Sequence, residues 1–209
     1  TLKNEPVELE KCYLNFVKVC SVFSFPAFVG TYVVGPETVV LLFGEKWEDS
    51  IPILQILCIG GMSATLNYFF GQLCHATNNS HIPFKIRTVE FSVAMVLVLI
   101  ASQYSIYYVA MANVFVAALI TSVMLIVLHK LFLFKISNLL KNIMPSLISS
   151  ILMGFTIYIA LQSVLQDMDS IIKVFCGIVL GCISYALFYR VFFPKEVTAI
   201  FVNIKKLRV

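Results

Sequence analysis

Six apolar stretches, each close to the ~20 residues that a helix needs to cross a bilayer at about 1.5 Å per residue, constrain this chain more than anything else in it. They run from about Tyr13 to Val34, Ile51 to Thr77, Pro83 to Ser102, Ile106 to Leu128, Ile143 to Leu165 and Ile171 to Phe193. The segments between them are too short to fold as domains outside a membrane. Only 12% of the 209 residues are charged and 60% are apolar, where an ordinary soluble domain has roughly 25% charged. So little charge cannot solvate the surface of a soluble fold of this size. The expectation is an all-α, polytopic membrane bundle of six transmembrane helices over 13–194. A cytoplasmic amphipathic lead-in is expected at 1–12 and a basic cytoplasmic tail at 195–209.

Basic residues collect in cytoplasmic loops. With the N-terminus inside, twelve Lys and Arg fall on the cytoplasmic side and two, Lys46 and Lys173, on the outer side, with Lys18 inside the first span. Both ends are therefore expected in the cytoplasm. The outer connections carry Glu37, Glu45, Glu48, Asp49, Asp167 and Asp169. Asn78-Asn79-Ser80 reads as a cytoplasmic turn rather than a glycosylation acceptor. Pro26 is expected to orphan a carbonyl and kink the first span, and Asp49 or Ser50 to cap the second. The six cysteines lack CxxC spacing and read as small packing residues. A net charge of +4 without any block of like charges argues against a nucleic-acid partner. Residue 1 is threonine, and the polar opening lacks the order of a signal peptide, so the chain is expected to be a fragment whose beginning is missing.

Polar side chains in a span are costly and usually face protein or a watery cavity. Gly60, Ser63, Ala64, Asn67, Gly71, Cys74 and His75 fall within one stripe of the second span, and Ala110, Asn113, Ala117 and Thr121 repeat the arrangement in the fourth. Each stripe reads either as close helix packing or as the lining of a cavity. Lys18, on the face of Asn15 and Ser21, either snorkels to the interface or offers its ammonium to an anion. Arg87 and Glu90 stand three apart, so they either neutralise one another or leave a guanidinium free for phosphate. Glu90 is the lone acidic candidate for ion coupling. The GxxxG spacing of Gly177 and Gly181, with Ser150 and Gly154, points to a tight pair between the last two spans. His75, His81 and His129 are not spaced as metal ligands, no phosphate-binding loop occurs, and paired carboxylates are missing. The chain therefore reads as a non-enzyme without cofactor or metal.

Phe25-Pro26-Ala27-Phe28-Val29-Gly30, then Leu41-Leu42-Phe43-Gly44-Glu45-Lys46-Trp47, then Ile51-Pro52-Ile53-Leu54, resemble in order and spacing the polysaccharide biosynthesis flippases, the Wzx-type and lipopolysaccharide-exporter branch of the multidrug/oligosaccharidyl-lipid/polysaccharide superfamily. Leu73 to Asn79 and Ser105 to Ala110 match more loosely and lack the family's glycines. The resemblance covers about residues 10–130 well. It implies that the six helices form most of the C-terminal lobe of a two-lobe flippase, with the N-terminal lobe absent from this fragment. It further implies alternating access that moves a polyprenyl-pyrophosphate-linked oligosaccharide across the bacterial inner membrane, without nucleotide hydrolysis and with an ion gradient. Membrane lipid and the lipid-linked oligosaccharide are the implied partners, for exopolysaccharide, capsule or O-antigen synthesis. On this reading Lys18, Arg87, Asn67, His75 and Asn113 are substrate-binding candidates and Glu90 the ion-coupling one. The alternatives are a multidrug or ion antiporter of the same superfamily, a membrane-embedded enzyme, and a non-transporting membrane subunit.

Overall fold

The computed structural model describes residues 6–166 and 168–194. Lys3, Asp167, Lys195 and the rest of the basic tail, all used in the orientation argument, lie outside the described residues. Six long helices account for nearly all of the rest: α1 (Pro6–Phe43), α2 (Ile51–Ala76), α3 (His81–Ala101), α4 (Ile106–Phe132), α5 (Ile136–Ser163) and α6 (Ser170–Phe192), with a short 3-10 turn at Glu45–Ser50. The all-α class follows directly from the apolar periodicity. Five of these helices are long and apolar enough to cross a membrane. The sixth, α3, is 21 residues long but carries Lys85, Arg87 and Glu90 in its first half.

α1 is 38 residues, roughly 57 Å at the α-helical rise, against a hydrocarbon core of ~30 Å. It begins inside the expected lead-in and continues past Val34. Gly35-Pro36 does not stop it, because a proline removes one N–H without forbidding the next turn, and Thr38 Oγ1 donates to the Val34 carbonyl at 2.9 Å. The helix stops at Gly44, whose φ of 84° and ψ of 171° are open only to a residue without Cβ. Ser50 does not cap α2, since its hydroxyl donates back to the Trp47 carbonyl at 2.6 Å.

The two places without the family's glycines have separate explanations. Asn78 takes the left-handed conformation itself, φ 66°, which asparagine tolerates better than most residues, and the Asn79 N–H closes the turn on the Cys74 carbonyl at 2.8 Å. Ser105 is extended, φ −166°, which any residue adopts.

The helices sort into two units. One takes the chain through Val17 together with Pro52–Leu140, and so holds α2, α3 and α4. There Tyr13 and Leu14 meet Leu125, Leu128, Phe134 and Leu139, with the Tyr13 and Phe134 rings 5.7 Å apart. Glu10 Oε1 accepts hydrogen bonds from the Lys135 N–H and from Asn138 Nδ2, at 3.4 and 3.0 Å, so a carboxylate from α1 satisfies the start of α5. The other unit takes Lys18–Ile51 and the chain from Lys141. Its core is Val34, Met153 and Ile157, with Val29, Val33, Leu161, Val174 and Tyr185 packed against them.

The small residues of this second unit divide their partners. A Cβ on Gly181 would lie 3.1 Å from Ile157 Cδ1, so α5 and α6 do approach there. A Cβ on Gly154 would lie 2.6 Å from Val29 Cγ1, and one on Gly177 would lie 3.1 Å from Val34 Cγ2. The expected α5–α6 pair is therefore a three-helix seam in which α1 takes two of the three close approaches. Pro26 orphans the carbonyl four residues back, that of Val22, and Tyr185 Oη of α6 donates to that oxygen at 2.9 Å. All six cysteines are free. Cys58 and Cys74 are buried as expected of packing residues, whereas Cys12 and Cys182 are exposed.

Candidate functional site

α2 and α4 run in parallel and in register. A Cβ on Gly60 would sit 3.1 Å from Val114 Cγ2, and two turns on Asn67 Nδ2 donates to Thr121 Oγ1 at 3.3 Å. Gly60 lets the backbones close, and the amide is then satisfied across the seam, as a buried amide requires. Thr121 is positioned for this by donating its own proton to the Ala117 carbonyl at 2.8 Å. The packing reading of the stripe therefore holds at Gly60 and Asn67.

Toward the α2–α3 turn the stripe opens into a cleft of about 430 Å³ lined by Asn67, Tyr68, Phe70, Gly71, Gln72, His75, Ser80, Pro83, Phe84, Ile86, Arg87, Ile120 and Met124. Gly71 contributes the space, because nothing lies within 4 Å of where its Cβ would be. His75 Nδ1 and Ser80 Oγ are 3.0 Å apart, which ties the end of α2 to the start of α3. Arg87 Nη1 donates to Glu90 Oε2 at 2.7 Å, with 58% of the arginine side chain and 21% of the glutamate exposed. A guanidinium has five N–H donors, so one bond to Glu90 leaves most of the fork for other partners.

Three of the expected site residues, Asn67, His75 and Arg87, thus line one cleft, and Glu90 reaches it through Arg87. The other two do not. Lys18 belongs to the second unit and is 5% exposed, engaged within the protein. Asn113 is exposed and its Nδ2 turns back to the Val109 carbonyl of its own helix at 3.0 Å. The cleft also contains residues that polarity arguments missed. Tyr68 and Gln72 stand seven and three positions before the expected His75, on one helical face, and that spacing was the available signal. Phe84 shares a face of α3 with Arg87, one turn away. Among the described residues no three His, Cys, Asp or Glu side chains gather as a metal set.

Residues 1–52 match a protein-family model described as polysaccharide biosynthesis protein. Lipopolysaccharide biosynthesis protein WzxC of Escherichia coli K12 is 35% identical over 99 residues, which is 46% of this chain and 20% of WzxC. An uncharacterized membrane protein in the cps region of Klebsiella pneumoniae is 32% identical over 98 residues, 46% of this chain and 19% of that protein. Teichuronic acid biosynthesis protein TuaB of Bacillus subtilis is 30% identical over 82 residues, 39% of this chain and 17% of TuaB. The match spans about a fifth of the length of these relatives. Among solved structures, lipid II flippase MurJ in an inward closed conformation superposes with a TM-score of 0.77 over 94% of this chain and 41% of MurJ, at 19% identity. At that identity the likeness is one of fold.

Proposed function

We propose that this chain is a polysaccharide-biosynthesis flippase, serving as part of a transporter that moves a polyprenyl-pyrophosphate-linked oligosaccharide across the bacterial inner membrane by alternating access. The match of residues 1–52 to the polysaccharide biosynthesis model and the likeness to WzxC support the family. The observation that carries the reading is the cleft. It brings a half-exposed guanidinium, an imidazole and amides together between helices whose outer faces are apolar. A diphosphate entering such a place loses part of its water and needs charge-assisted donors in return, while the polyprenyl tail remains in lipid. Arg87 supplies the donor fork. His75, Ser80 and Gln72 supply further hydrogen-bonding partners.

The Arg87–Glu90 pair also offers a way to couple transport to an ion. A guanidinium that turns its fork to a diphosphate weakens its hold on Glu90, and the carboxylate is then open to a small cation. Binding of substrate and binding of the ion are thereby linked through one shared arginine. An antiporter for amphipathic cations would need Glu90 free of such a partner.

The test is a reconstituted flipping assay on the full-length protein, following a lipid-linked oligosaccharide in each leaflet. Arg87→Gln should cut the flipping rate at least tenfold at normal protein level, and cells lacking the gene should accumulate the lipid-linked glycan on the inner face. Unchanged flipping by Arg87→Gln overturns the role of the cleft. Orientation is checked by Lys46→Cys and Lys135→Cys in a cysteine-free background treated with an impermeant thiol reagent. Labelling at 46 alone is expected for cytoplasmic ends, and labelling at 135 alone inverts the topology.

A further inference from the structure

We propose that the cleft recognises a sugar as well as an anion: Tyr68 and Phe84 form the apolar walls of a subsite for the hexose attached to the lipid diphosphate, with Gln72 and His75 addressing its hydroxyls. The inference rests on the diphosphate reading of Arg87 and goes one residue further along the substrate. Tyr68 is eight residues from the end of α2, roughly 12 Å along the axis, and 59% exposed. A phenol at that depth facing hydrocarbon would leave its hydroxyl without a partner. Facing the cleft, it meets polar company. Its ring sits edge-on to Phe69 with centroids 5.3 Å apart.

Phe84, 73% exposed, also lines the cleft. Gln72, His75 and Arg87 line the same cleft as the two rings. The lining therefore offers aromatic faces and polar groups together. That combination fits a pyranose, whose C–H faces stack on aromatic rings and whose rim of hydroxyls needs amide and imidazole partners. The volume of about 430 Å³ lies in the range of small-molecule sites, ~300–1,000 Å³, and a diphosphate by itself does not fill it.

The experiment measures binding of two probes to the purified full-length protein by native mass spectrometry: a polyprenyl diphosphate and its glucosyl derivative. The unmodified protein should prefer the glucosyl lipid about tenfold. The double variant Tyr68→Leu/Phe84→Leu should bring the ratio close to one, and Tyr68→Phe, which keeps the ring and loses the hydroxyl, should lower it about threefold and serves if the double variant does not fold. Arg87→Gln should weaken both probes and keep their ratio. A ratio of one in the unmodified protein, or an undiminished ratio in both aromatic variants, overturns the sugar subsite. Arg87→Gln without effect on the bare diphosphate overturns the underlying reading of the cleft, and the sugar subsite with it.

Discussion

The unit of α2, α3 and α4 and the unit of α1, α5 and α6 draw on the same small vocabulary of glycine, serine and aliphatic side chains and, away from the Gly60–Val114 contact, use it in opposite ways. In the first, Gly71 leaves empty space at the foot of a cleft, and Gln72, His75, Ser80 and Arg87 around it are exposed. In the second, Gly154, Gly177 and Gly181 are filled by valine and isoleucine side chains, and Ser146, Ser149 and Ser150 are wholly buried. A glycine in a membrane helix thus means close approach in one place and vacancy in another. Its neighbours across the seam decide which, and those neighbours are invisible to a GxxxG count. The first unit has the openness that a ligand requires, and the second has the density that holds helices together where lipid supplies no hydrophobic drive between them.

This contrast is open to attack by substitution, each variant read by thermal unfolding in detergent. Gly154→Val should be the most damaging, by about 2–3 kcal/mol, because its Cβ would fall 2.6 Å from Val29 Cγ1. Val29→Ala in the same chain should recover much of the loss. Tyr185→Phe should cost ~1–2 kcal/mol by leaving the Val22 carbonyl without a donor. Adding Pro26→Ala restores an N–H to that carbonyl, so the double variant should lie closer to the parent than the two single effects summed. Asn67→Leu should cost less, about 0.6 kcal/mol, the usual value of an interhelical hydrogen bond in a membrane. Arg87→Gln should change stability by under ~0.5 kcal/mol, as expected of an exposed ion pair, while removing transport. Gly71→Ala, with nothing within 4 Å of the new Cβ, should be neutral or gain ~0.5 kcal/mol from helix propensity. If Gly71→Ala proved as harmful as Gly154→Val, the distinction between the two units would fall.

Much of this was legible in the sequence because apolar length is a strong signal. Helix class, number and order follow from runs of about twenty residues. The extent of α1 was not legible, since Gly35-Pro36 has the composition of a terminus and only the continuing backbone shows otherwise. Asn67, His75 and Arg87, which line the cleft, stood out in the sequence because polarity in a span is costly. Tyr68 and Phe84 were not, because an exposed aromatic ring in a membrane helix reads the same whether lipid or a cleft lies outside it. Lys18 and Asn113 show the converse limit. A polar residue in a span can be satisfied locally, and Asn113 does so through the carbonyl one turn back.

The bond from Tyr185 to the Val22 carbonyl, across 163 positions of sequence, has a meaning for how this chain can drift. While residue 26 is proline, the hydroxyl at 185 has an acceptor that no backbone N–H will claim. Once residue 26 changes to an ordinary helix former, the hydroxyl loses that acceptor, and phenylalanine becomes an equally good choice at 185. Aligned relatives should therefore show the two positions changing together, proline with tyrosine and its loss with phenylalanine, as the inherited trace of a single orphaned oxygen.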